Sequence, residues 1–158
     1  MSAFRRTVTV RLKPDTTYVC EIAMIERRLK TLILIFLWGA LAEDTVLFVL
    51  SWLTPDLWFH LLHGSTGAGL EVALVRRAGG QWAAFALVQA ITLRRWRTDP
   101  VWLAVAAGAR FSDLLTDLSY LAAASSLTPL GRLLLLPPPV LNLVGVVILL
   151  RGYRQART

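Results

Sequence analysis

Between Val101 and Ala124 runs an apolar segment long enough to cross a bilayer, VWLAVAAGARFSDLLTDLSYLAAA, and it carries Arg110, Asp113 and Asp117. On a helix the spacing i, i+3, i+7 puts these three on one narrow stripe. An ionised group in hydrocarbon costs several kcal/mol and does not stay facing lipid. The stripe must therefore face protein, which predicts other helices around it.

Composition agrees with that prediction. Of 158 residues, 56% are hydrophobic and only 17% charged, with a mean hydropathy of +0.58. Soluble domains hold about one quarter charged residues. The net charge of +7 first suggests nucleic acid. The basic residues, however, cluster at the ends of apolar runs, which is a membrane-topology pattern. No nucleic-acid partner is expected. The lone cysteine, Cys20, excludes an internal disulfide or a CxxC redox pair.

Four spans are expected, near residues 31–53, 79–95, 100–123 and 132–151, forming an all-α, integral membrane four-helix bundle. The second is short, so its helix is expected to begin earlier, in LEVALVRR. With the N-terminus inside, thirteen of the 17 Lys and Arg lie in inner segments. Three lie outside (Arg76, Arg77 and Arg132), and Arg110 is within a span. This bias predicts an inner-membrane, multi-pass protein with both termini in the cytosol of a bacterium. Residues 1–30 form a basic cytosolic lead-in, 31–151 the membrane domain and 152–158 a basic tail. The first 23 residues are expected to be disordered or an over-extended start. There is no signal-peptide pattern.

Between the first two spans, PDLWFHLLHG reads as an interfacial helix with Trp58 in the aromatic belt. Gly79-Gly80 lacks the GK[ST] ending of a phosphate loop and reads as a close helix contact. Pro137, Pro138 and Pro139 remove three backbone donors, so no regular helix is expected to run through them. Leu133 to Leu136 must then supply a separate turn or an extended piece.

The third span is unfavourable alone. Each charge costs about 2.5–3.5 kcal/mol at a helix centre, and each large apolar residue returns only about 0.3–0.6. Its partners are read from depth. Glu43, Asp44 and Asn142 reach the level of Arg110, and Glu43 or Asp44 is the expected ion-pair partner. Asp113 and Asp117 lie further out, towards an outer mouth with Arg76, Arg77 and Gln81. Gln89 lies nearer the cytosolic side. Even with Arg76 and Arg77 the cluster is one positive charge short. A proton on one carboxyl or a bound cation would close the gap.

The cluster has two readings, a ligand- or proton-binding site or an ion-pair network that fixes helix register. His60 and His63, at i, i+3, lack a third metal ligand and read as interfacial side chains. No haem ligand falls within the spans. Ser112, Thr116 and Asp113 lack a histidine base, so no catalytic residues are assigned. No metal and no cofactor is expected.

The layout resembles the small four-helix bacterial membrane proteins of the DoxX/DoxD-like group, particularly its uncharacterised branch. The similarity rests on TPDLWFHLLHG after the first span, VRRAGGQWAAFAL opening the second, AGARFSDLLTD in the third and PPPVLNLVGV in the fourth. It covers about residues 31–151. Members often carry a glutamate in the fourth span, where this chain has Asn142. Some relatives accompany thiosulfate–quinone oxidoreduction as membrane subunits, which implies a quinone-facing role.

Three functions follow as expectations. The first is a non-catalytic membrane protein that binds a small amphiphile or supports a larger membrane complex. The second is a proton-linked small-molecule carrier, and the third a quinone-associated oxidoreductase subunit. A carrier needs water access from both sides, so Asp117 and Gln89 would both be reachable. A binding module needs one opening. An enzyme needs a carboxylate or Tyr120 facing an apolar pocket large enough for a ring.

Overall fold

The computed structural model describes residues 25–157. The reading of the first 23 residues lies outside them. All secondary structure among the described residues is helical. Helix α1 spans Arg27–Phe48 and continues through a π-helical turn, Val49–Leu53. Then come α2 (Pro55–His63), α3 (Leu70–Arg95), α4 (Val101–Ala123), α5 (Pro129–Leu135) and α6 (Pro137–Gln155). Among the described residues, two stretches are long and apolar enough to cross a membrane, Arg27–Leu53 and Pro129–Gln155.

The second long helix begins at Leu70, the first residue of LEVALVRR, where the short second span led its start to be expected. Arg76 and Arg77 are thus helical. The three prolines do not interrupt α6. They fill its first turn, where backbone N–H groups have no intrahelical partner and the fixed φ of proline suits the helix. The break falls at Leu136 instead, with α5 as the separate turn before it. The nineteen residues of α6 reach about 28 Å.

Helix α1 packs most closely on α3, and α4 on α6. At one end an apolar core joins Ile33 and Leu37 of α1, Trp96 after α3, Leu103 and Ala106 of α4 and Leu149 of α6. At the other end Trp58, Phe59, Leu62 and Trp82 form a second cluster. The short helices α2 and α5 close this Trp58 end. The Thr128 hydroxyl accepts from the Gly131 N–H (2.8 Å) as the N-cap of α5 and donates to the Leu61 carbonyl (2.7 Å). One residue therefore starts α5 and ties it to α2.

The expected belt position of Trp58 is corrected. Its ring is only 5% exposed and packs on Trp82 with centroids 5.3 Å apart. A short amphipathic helix needs an apolar surface to lie on, and here protein supplies it.

The π-helical turn brings buried Ser51 against Gly79. A Cβ on Gly79 would come to 2.5 Å from the Ser51 Oγ, whereas one on Gly80 meets only Trp52 at 3.6 Å. Gly79→Ala is therefore expected to destabilise by about 1–3 kcal/mol, the usual cost of overpacking. Gly80→Ala should be tolerated. Thermal unfolding of the two purified variants in the same detergent checks the contrast.

Candidate functional site

The α4 stripe faces inward. Arg110 is 1% exposed and Asp113 4%. The Arg110 Nη2 donates to the Asp44 Oδ2 of α1 at 2.7 Å, a buried ion pair. Its Nη1 donates to the Asn142 Oδ1 of α6 at 3.3 Å and lies 3.4 Å from the Asp113 Oδ2. The guanidinium carbon sits 5.2 Å from the Phe85 ring centroid of α3. Four helices thus surround one buried cation.

Around this pair the polar groups form a chain. The Gln89 Nε2 of α3 donates to the Asp44 Oδ2 at 2.6 Å. The Asn142 Nδ2 donates to the Asp113 Oδ2 (3.1 Å) and to the Asp117 Oδ2 (2.9 Å). The Trp82 Nε1 donates to the Asp113 Oδ1 at 3.3 Å. Asn142 both accepts from the cation and donates to two carboxylates. A glutamate there would add another acid and, when ionised, donate to neither.

The structure chooses between the two candidate partners for Arg110. Asp44 is fully buried on the pair, while its neighbour Glu43 is half-buried and turned to a cavity wall. The outer-mouth residues do not join. Arg76 and Arg77 are exposed on α3, and among the described residues neither pairs with Asp113 or Asp117. Gln81 is half-buried beside the contributing Trp82. The reason for the arginines is angular: residues 76 and 77 are rotated on the helix away from the face that carries Trp82, Phe85 and Gln89, whereas Gln81 sits at the edge of that face, one turn before Phe85. The count of four acids to one base within the cluster therefore stands without relief from α3.

Above the network, at the Trp58 end, lie two cavities of about 280 and 370 Å³. Trp58, Trp82, Asp117 and Leu135 line both. Tyr120 and Thr116 face the smaller, and Glu43 and Asp113 the larger. The remaining walls are apolar, largely leucine and valine. Directly below the network the interior is tightly packed. Ile33, Leu37, Leu103, Ala106 and Leu149 have no exposed surface, and Gln89 is 1% exposed.

Sequence reasoning names Tyr120 as a residue to face an apolar pocket but misses Trp82 as a wall residue and the tie across the mouth. The His63 Nδ1 lies 2.6 Å from the Ser126 carbonyl, so it carries the proton there. In the neutral ring its Nε2 then accepts from the Tyr120 hydroxyl. Tyr120 extends the α4 stripe by i+3 from Asp117, a periodic signal that was available. Its partner lies across a loop and was not. Among the described residues, no group of three or more His, Cys, Asp or Glu is placed to hold a metal ion.

No protein-family model, curated protein or solved structure matches this chain.

Proposed function

We propose that this chain is a four-span integral protein of the bacterial inner membrane, both ends cytosolic, that binds a small amphiphile at the Trp58 end. Exposed apolar side chains support the four spans. Ile35 and Trp38 of α1, Leu87 of α3, Phe111 and Leu115 of α4 and Val147 of α6 are all more than half exposed. Soluble proteins rarely expose so continuous an apolar surface. Helix α4 carries Arg110, Asp113 and Asp117, but these charges turn inward, so its outward face is apolar. The basic bias between inner and outer segments sets the orientation. The resemblance to the DoxX/DoxD-like group is compatible with this architecture.

The observation that carries the binding role is the pair of cavities with an apolar wall and a polar floor. Small-molecule sites are concave, mostly apolar and orient the ligand with a few polar groups. The packing below the floor favours a one-sided pocket over a carrier, because Gln89 is sealed while Asp117 lines a cavity. A second reading, a quinone-associated subunit, is favoured by Tyr120 and Asp117 at one apolar wall.

Ala78 lines the smaller cavity, and Ala78→Phe would fill it. In nanodiscs, phenylbutanol is expected to alter tryptophan fluorescence saturably through Trp58 and Trp82. The variant should weaken that binding by about tenfold or more, the loss of about 1.4 kcal/mol of contact. Unchanged affinity would count against the pocket. Displacement of the alcohol by a short-chain ubiquinone analogue would favour the second reading.

A further inference from the structure

The larger cavity holds more acid than the fold itself uses. Arg110, the cluster's one cation, is engaged by Asp44 and Asp113. Among the described residues, Asp117 receives the neutral amide of Asn142 and no cation, and Glu43 makes no hydrogen bond or ion pair. Both carboxyls line the cavity wall among leucine, valine and tryptophan. A carboxylate in such surroundings is costly unless a positive partner reaches it. The arginines of α3 do not, being exposed on another face.

We infer that the ligand is a lipophilic cation. Its ammonium group sits against Asp117 and Glu43, and its hydrocarbon or aromatic body fills the space beside Trp58 and Trp82. This rests on the amphiphile-binding reading and names the ligand class. Three features select an organic cation. Among the described residues, the acids are not gathered closely enough to hold a metal ion. The cavity of about 370 Å³ is far larger than an ion needs and its wall is apolar. Tryptophan faces attract an ammonium group as well as an apolar body. An anionic amphiphile would instead meet Glu43, Asp113 and Asp117 together.

The test uses the full chain in nanodiscs of zwitterionic phosphatidylcholine, so that the lipid surface does not itself gather cations. Phenylbutylamine and phenylbutanol, matched in shape, are titrated against tryptophan fluorescence. The amine is expected to bind about tenfold more tightly than the alcohol. In Asp117→Asn with Glu43→Gln that ratio should fall to about one. Equal affinities in the natural chain, or a ratio kept in the double variant, would overturn the inference. Alcohol binding without amine preference removes the cation and leaves the amphiphile pocket standing. Failure of both probes to bind removes the pocket and the cation with it. The comparison in the natural chain decides the matter even where the double variant does not fold.

Discussion

Replacing Arg110 by methionine is expected to leave little folded protein. The side chain holds α1, α4 and α6 together through Asp44, Asp113 and Asn142, and Phe85 of α3 covers its face. Its removal strands two buried carboxylates. Breaking a buried ion pair by deleting one partner costs about 3–5 kcal/mol. A domain with a total stability of about 5–15 kcal/mol loses a large share of it. The companion variant Arg110→Met with Asp44→Asn should recover part of the loss, since it removes a stranded charge as well as its partner. Thermal unfolding in detergent, followed by circular dichroism, measures both. A single variant that melts with the natural chain would show that the cluster does not hold the helices together.

The second large effect separates two adjacent acids. Asp44→Asn is expected to cost about 3 kcal/mol, because Asp44 accepts from both Arg110 and Gln89 at full burial. Glu43→Gln should change stability by less than about 0.5 kcal/mol, as expected of a site away from any such network. The two acids differ by one position, about 100° of helix rotation. That rotation directs Asp44 to the ion pair and Glu43 to the cavity. Unfolding curves of the two variants, read side by side, check the difference. Equal losses would mean that Glu43 also belongs to the ion-pair network.

These two acids also show what one-dimensional reading resolves. Depth along a helix follows from counting residues, so Glu43, Asp44, Arg110 and Asn142 could be assigned to one layer. Azimuth relative to a neighbouring helix does not follow from counting. Glu43 and Asp44 were therefore equivalent candidates, and Arg76 and Arg77 were placed with Asp113 and Asp117 by depth alone. Trp58 illustrates another limit. An aromatic ring on a short amphipathic helix suits a membrane interface and a protein interior equally, since both offer an apolar surface. The prolines show a third. Their missing donors were correctly counted, but a first helical turn has no use for those donors.

The sequence by itself determined what is periodic and local. The stripe Arg110, Asp113 and Asp117 follows from 3.6 residues per turn, and its inward direction from the cost of charge in an apolar setting. The helical class and the ends of the apolar runs followed from the same local rules. Tertiary structure alone decided the partners: Asp44 over Glu43, the three bonds of Asn142, the stacking of Trp58 on Trp82 and the tie from His63 to Tyr120. Each joins residues at least 24 positions apart, and such contacts depend on how helices rotate and pack against one another.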